Sequence, residues 1–303
     1  MRSGLAIATI LVYPLVHNTL PKHPPKFALD SFDCNVIGKP YRSYVAIGDS
    51  LSEGLGDFTF NHQRHENGWT DRLANIMAQE AQNHGYEFHY ANLALRGSKL
   101  ETIMQQQVYR ALRLQPDLVT VMAGNNNFLS GASLDELRGI FRTGILELLA
   151  AGCDVVVANT INPRHLRVFR PLLASAQRFS DMIAEVAGEF EIPVLDVHGI
   201  QSFEELIYWA EDMVHFSGHG HIKIANRAAE LLDLSYRYHE IPDHELPAIS
   251  RGLLETLRWV KRDVVPFFGR KLRGVTSGDG LEPKHQTLTV LKPSERLELT
   301  SAF

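Results

Sequence analysis

Cysteine, basic excess and long apolar runs are all scarce in this chain, and each shortage excludes something. Only Cys34 and Cys153 occur, too few for a disulfide framework, and no C-x-x-C pair offers zinc a site. Cys153 falls in an apolar strand pattern and reads as a small buried hydrophobe. Thirty lysines and arginines face thirty-five aspartates and glutamates, a net charge of −5. A general nucleic-acid binder carries a strong basic excess, so nucleic acid is not an expected partner. The apolar stretch Gly4–Val16 covers thirteen residues, too short to span a bilayer. It has the length of a signal-peptide core, but Tyr13 and Pro14 interrupt it and no small-x-small cleavage site follows. The cytoplasm is the favoured compartment, with secretion or anchoring through residues 4–16 as the alternative. Membrane association is not favoured. There is no internal repeat, no H-E-x-x-H and no G-x-S-x-G, the last of which marks the nucleophile elbow of α/β-hydrolases. Gly54-x-Gly56 lacks the third glycine of a dinucleotide fingerprint.

What is present suits a packed α/β domain. The 303 residues are 45% hydrophobic and 21% charged, enough for a substantial core. Pro21, Pro24, Pro25 and Pro40 mark residues 1–41 as an extension and linker. From Arg42 the pattern alternates. Strands are expected at 44–47, 87–93, 117–122, 154–159 and 193–197. Helices are expected at 69–84, 99–114, 134–151, 171–190 and 217–234. Strands separated by helices imply parallel pairing with right-handed crossovers, hence a three-layer α/β/α sandwich on a five-stranded parallel sheet, within a domain spanning 42–238. Residues 239–274 form a basic amphipathic arm with helical pattern at 251–262. It is read as packed on the domain with its charges in solvent, an anionic lipid surface being the alternative. Residues 275–303 are polar, punctuated by Gly and Pro, and expected to be disordered.

Four blocks carry chemistry. Val45-Ala46-Ile47 runs into Gly48-Asp49-Ser50-Leu51, a buried strand delivering a serine to its carboxyl end. There open sheets place their ligand sites, although Asp and Ser also serve as ordinary helix caps. Asn92 to Ser98 puts Gly97 just past the second strand. Gly124-Asn125-Asn126-Asn127 follows the third. Asp212-Met213-Val214-His215 precedes the last helix. Ester hydrolysis needs a nucleophile, a base and donors for a developing oxyanion. Ser50 can attack and His215 can accept its proton. Asp212 can bond the other imidazole nitrogen. The backbone N–H groups of Ser50 and Gly97 and the Asn126 amide can serve as donors.

These motifs, in this order and at these intervals, resemble the SGNH hydrolases, also called GDSL esterases/lipases, over roughly residues 42–234. Gly54 to Asp57 and Gly68 to Ala74 resemble the extended first block of a bacterial subgroup. The resemblance implies a flavodoxin-like fold and hydrolysis of small-molecule acyl esters with no metal or other cofactor. It implies Ser50, Gly97, Asn126 and His215 as the four namesake residues, with Asp212 completing the triad. The family's third block usually reads Gly-x-Asn-Asp. Here Asn127 replaces the final acid, which leaves open which of Asn125, Asn126 and Asn127 faces the oxyanion, motif position favouring Asn126.

Two other functions are weighed. One is a catalytically silent module that binds a glycan or acyl ligand. The other is a metal-dependent hydrolase using His215, His219 and His221, whose last two members otherwise read as first-turn helix residues. Arg96 and Arg164, near strand ends, can contact substrate or simply stay solvated. Trp69, Leu73 and Ile76 read as core, and Asp49 as ordering the Ser50 loop.

Overall fold

The computed structural model describes residues 38–57, 67–128, 132–249, 252–264, 266, 277–294 and 297–299. The apolar stretch 4–16, Cys34 and the linker prolines at 21, 24 and 25 lie outside them.

Five parallel strands form the sheet: β1 (Ser43–Gly48), β2 (His89–Asn92), β3 (Leu118–Met122), β4 (Asp154–Ala158) and β5 (Val194–Leu195). Their spatial order is β2-β1-β3-β4-β5, the flavodoxin-like order with its switch point between β1 and β3. Residues 44–47 of β1 and all of β3 are buried, as expected of strands covered on both faces.

The connecting helices are α1 (Ser50–Glu53), α2 (Trp69–Asn83), α3 (Leu100–Thr102), α4 (Val108–Leu114), α5 (Leu134–Ala150), α6 (Leu173–Glu189) and α7 (Gly218–Leu231). A π-turn at Ile103–Gln107 joins α3 to α4, so the single helix read at 99–114 is continuous but wound wider in its middle. Right-handed crossovers put α2 and α7 together on one face, where they pack on each other, and α3 to α6 on the other. Trp69, Leu73 and Ile76 are fully buried in the core. Cys153 is buried and forms no disulfide.

The C-terminal region departs from expectation. Residues 285–290, expected to be disordered, form β7 (His285–Val290), which pairs antiparallel with β2 and makes the sheet six-stranded. The strand has no apolar alternation because only Leu288 is half-buried. Its stabilisation comes from the backbone ladder that covers the otherwise open edge of β2. A second, two-stranded sheet joins β6 (Tyr236–Arg237) to β8 (Glu298–Leu299). In the arm, α8 (Leu253–Trp259) runs into a second π-turn, Val260–Val264. Trp259 is buried while Leu254 and Leu257 are exposed. No helix among the described residues is long and apolar enough to cross a membrane.

Candidate active site

At the carboxyl end of β1 the chain turns into α1 with Asp49 as its cap, the Asp49 carboxylate accepting the Leu51 N–H at 3.0 Å. Ser50 is thus the first residue of a helix, where a backbone N–H has no intrahelical partner. Burial lifts the Asp49 carboxyl to about 6, against the Leu51 N–H and the Asn125 amide, which favour its charged form. Asn125 donates to Asp49 at 3.2 Å and accepts the Ile161 N–H at 3.0 Å. One polar chain therefore ties the loops after β1, β3 and β4.

The imidazole arrives from a loop whose ends are joined by an antiparallel bridge between Trp209 and Phe216. Asp212 folds this loop: one carboxylate oxygen accepts the N–H groups of both Val214 and His215, each at 3.0 Å, a turn that short acidic side chains favour. The other oxygen lies 2.6 Å from His215 Nδ1. His215 Nε2 lies 2.9 Å from Ser50 Oγ. With Nδ1–H donated to Asp212, Nε2 presents its lone pair to the serine hydroxyl. Burial pushes the Asp212 carboxyl upward, but the His215 hydrogen bond and charge and the two backbone donors outweigh it and hold it at about 2.

The loop is braced on its far side. Met213 sits at φ +56, a conformation that costs a non-glycine residue about 1 kcal/mol or more. Its carbonyl accepts from His165 Nε2 at 2.9 Å, and the His165 ring stacks 3.7 Å from Trp209. Burial lowers His165 to about 4 despite that carbonyl, so it stands there neutral. Trp259 of the arm donates its indole N–H to the Asp212 carbonyl at 2.7 Å. Gly56, at φ +99, leaves no room for a Cβ, which would lie 2.4 Å from the Phe216 carbonyl oxygen. The serine-bearing segment thereby packs directly on the histidine-bearing one.

Gly97 stands where a tight turn needs it. Ser98 N–H bonds the Leu95 carbonyl at 3.2 Å, and Gly97, third of the four residues, has φ +76, as a type II turn requires. Asn126 Nδ2 donates to the Ser98 carbonyl at 3.0 Å, which spends one of its two amide hydrogens. Its neighbours are differently committed. Asn125 is engaged as described above. Asn127, 1% exposed, accepts the Leu100 N–H at 2.9 Å and donates to Glu101 at 2.8 Å.

Several supporting residues were not singled out from sequence. Gln107 bonds both the N–H and the carbonyl of Gly48, at 2.7 and 2.9 Å, fixing the strand end from which Asp49 and Ser50 depart. It projects from the π-turn, a device that recurs at functional sites. Arg72 and Asp57 form a buried ion pair. Arg96 donates its backbone N–H to Glu53 at 2.6 Å and its side chain to the same carboxylate, which ties the Gly97 loop to α1. Arg164 is exposed and lies 3.7 Å from Glu204.

The histidine cluster does not assemble as a metal site. His221 is fully buried; its Nδ1 accepts the Trp69 N–H at 3.2 Å and its Nε2 bonds the Leu55 carbonyl at 3.1 Å. Burial, with Arg72 nearby, lowers it to about 3. Both ring nitrogens serve the backbone, so no ligand lone pair remains. Among the described residues no group of three or more His, Cys, Asp or Glu can hold a metal ion.

Residues 46–222 match the model of the GDSL-like Lipase/Acylhydrolase family. A search of curated proteins finds no match. Among solved structures, a variant of the acetyl xylan esterase Axe2 from Geobacillus stearothermophilus aligns with TM-score 0.54 at 17% identity, over 68% of this chain and 98% of that one. LAE5, an alpha/beta hydrolase enzyme from the metagenome of Lake Arreo, Spain, gives 0.52 at 18%, over 63% and 94%. The psychrotrophic esterase EstA from Pseudoalteromonas sp., inhibited by monoethylphosphonate, gives 0.50 at 13%, over 63% and 96%. At these identities the likeness is one of fold. The family match runs from the strand that leads into Ser50 to the helix that follows His215, more than half of the 303 residues, and on it the chain belongs to the GDSL-like lipases and acylhydrolases, the SGNH family of ester hydrolases.

Proposed function

We propose that the chain cleaves carboxylic esters through a covalent acyl-enzyme on Ser50, with His215 as base and acid and Asp212 as its orienting partner. The observation that carries this is the unbroken hydrogen-bond chain from the Ser50 hydroxyl through both imidazole nitrogens to the Asp212 carboxylate, 2.9 and 2.6 Å long at its two links. Ser50 Oγ attacks the ester carbonyl carbon while Nε2 takes the hydroxyl proton. The imidazolium formed faces a carboxylate that stays ionised. The carbonyl oxygen becomes an oxyanion, and the Ser50 N–H, the Gly97 N–H and the second Asn126 amide hydrogen are the donors for it. Collapse expels the alcohol, which leaves with the proton from Nε2. Water then attacks the acyl carbonyl, His215 again takes a proton, and Ser50 is regenerated with release of the acid.

Asn126 is preferred over Asn127 as the side-chain donor because Asn127 is buried at 1% exposure, and over Asn125, whose amide is turned to the buried Asp49 carboxylate, by its position in the motif. The Ser50–His215 contact also favours catalysis over a silent binding module, which has no use for a proton relay. Acetylated sugars, short acyl esters, lysophospholipids and thioesters are the first substrates to test. Purified protein is expected to hydrolyse p-nitrophenyl acetate. Ser50→Ala or His215→Ala should reduce kcat by about 10⁴–10⁶ and Asn126→Ala by about 10²–10³, with little change in KM. Turnover that survives His215→Ala undiminished removes the imidazole from the mechanism.

A further inference from the structure

The C-terminal segment lies outside the span matched by the family model, yet it abuts the loop that carries Gly97. Gly278 is buried in the turn at residues 277–280. A Cβ built on it would lie 2.2 Å from the Arg96 carbonyl oxygen and 3.2 Å from Leu95 Cγ. Its φ is not in the left-handed region, so the contact itself, rather than backbone conformation, demands glycine there. The turn is anchored on both sides. Downstream, β7 is laddered onto β2. Lys284 reaches Asp71 at 2.6 Å, and Asp71 also accepts the Gly68 N–H at 2.7 Å and the Tyr90 hydroxyl at 3.0 Å. Across from the turn, the buried Glu53 carboxylate holds the Arg96 N–H at 2.6 Å. The turn and the Gly97 loop enclose a cleft of about 550 Å³, lined by Leu95, Gly97, Lys99, Arg110, Leu281 and Pro283.

The Arg96 carbonyl and the Gly97 N–H belong to one peptide unit, which is planar and has the two groups pointing in opposite directions. Whatever fixes the carbonyl therefore fixes the N–H. We infer that Gly278 is a positioning residue for catalysis: by seating against the Arg96 carbonyl it sets the direction of the Gly97 N–H toward the oxyanion. The inference rests on the reading of Gly97 as an oxyanion donor. It makes the C-terminal segment, through a single close backbone contact, part of the transition-state geometry.

The test is Gly278→Ala in the full chain, assayed for kcat and KM on p-nitrophenyl acetate and for inhibition by a small alkyl boronic acid, whose tetrahedral adduct uses the same donors. A fall in kcat of about tenfold to a hundredfold is expected, less than loss of a whole donor. KM should stay within about twofold, and the boronate Ki should rise by the same factor as kcat falls. A merely structural role moves the melting temperature without coupling kcat to Ki. A folded Gly278→Ala protein whose kcat and Ki both stay within about twofold of the parent overturns the inference. If that variant does not fold, Lys284→Met, which releases the C-terminal segment from both Asp71 and the Glu53 carbonyl, takes its place. A coupled change of about fivefold or more in kcat and Ki supports the inference, and unchanged values overturn it. Fluorophosphonate labelling of the parent separates the two levels. An unlabelled parent removes the serine reading, whereas a labelled parent with an unaffected variant removes only the role of Gly278.

Discussion

Asn127 shows how one side chain can change while its neighbourhood keeps the arrangement intact. Its family counterpart is an acid, and an acid can accept the Leu100 N–H as Asn127 does. It cannot donate to Glu101, which the Asn127 amide does at 2.8 Å. The asparagine is thus matched to a glutamate one helical residue from the bond it caps. Asn127→Asp should place two carboxylates in contact and destabilise the fold by about 1–3 kcal/mol in urea titrations. Adding Glu101→Gln should recover most of that loss, with a coupling of about 1 kcal/mol or more; additive losses would mean that the two side chains are independent. Ser50, Gly97, Asp212 and His215 were legible in sequence because each sits in a short motif whose spacing has a chemical reason. Gln107, His165 and Glu53 were not. Their partners Gly48, Met213 and Arg96 lie 59, 48 and 43 residues away, and nothing local distinguishes such a glutamine, histidine or glutamate from a solvated one. Among the three asparagines, position in the motif favours Asn126, and the burial of Asn127 speaks against that neighbour as a donor to substrate.

The C-terminal arm supports the site without contributing a reacting group. The arm packs on the domain through Trp259, whose ring meets Phe169 edge-on at 5.9 Å and whose indole N–H holds the Asp212 carbonyl. Trp259→Phe should keep the packing and lose one hydrogen bond, costing about 1 kcal/mol. Trp259→Ala should cost about 3 kcal/mol or more. Because the bond is made to the acid loop, both variants should lose kcat severalfold with little effect on KM. An unchanged kcat in a destabilised Trp259→Ala protein would make the arm a stability element only. The five parallel strands and the long helices were readable because their apolar period is set by burial on known faces. The sixth strand was not, because β7 buries neither face. Its sequence, His285-Gln286-Thr287-Leu288-Thr289-Val290, carries no amphipathic signal, and the backbone ladder with β2, together with the His285 ring against Tyr90, holds it in place. The π-turn at 103–107 was likewise invisible to a period of 3.6 residues.

At the scale of the whole molecule, buried titrating groups link folding to pH. His165 and His221 are held at about 4 and about 3. Unfolded histidine takes up its proton near pH 6.5. Between those limits the unfolded chain binds more protons, so stability falls as pH drops from about 6.5 toward 4. Asp49 acts in the opposite sense. Held at about 6, it binds a proton in the folded state before an unfolded aspartate does, and adds stability as pH falls between about 6 and 4. Asp212, at about 2, stabilises the fold above pH 4, a contribution lost as pH falls through 2. Two histidines against one aspartate leave a net acid destabilisation. His165→Phe should reduce proton uptake on unfolding at pH 5 by close to one proton, and the pH dependence of stability by about 1.4 kcal/mol per pH unit. Equal slopes in parent and variant would show that His165 already titrates freely in the fold. Activity should fall on acidification for a separate reason, since a protonated imidazole cannot take the Ser50 proton. The whole arrangement depends on loops 165 residues apart meeting at Ser50 and His215. Mass spectrometry after treatment with a fluorophosphonate tests that meeting most directly. One adduct on the peptide containing Ser50 is expected, abolished in Ser50→Ala and strongly slowed in His215→Ala. An adduct on another residue, or labelling that persists in Ser50→Ala, would contradict it.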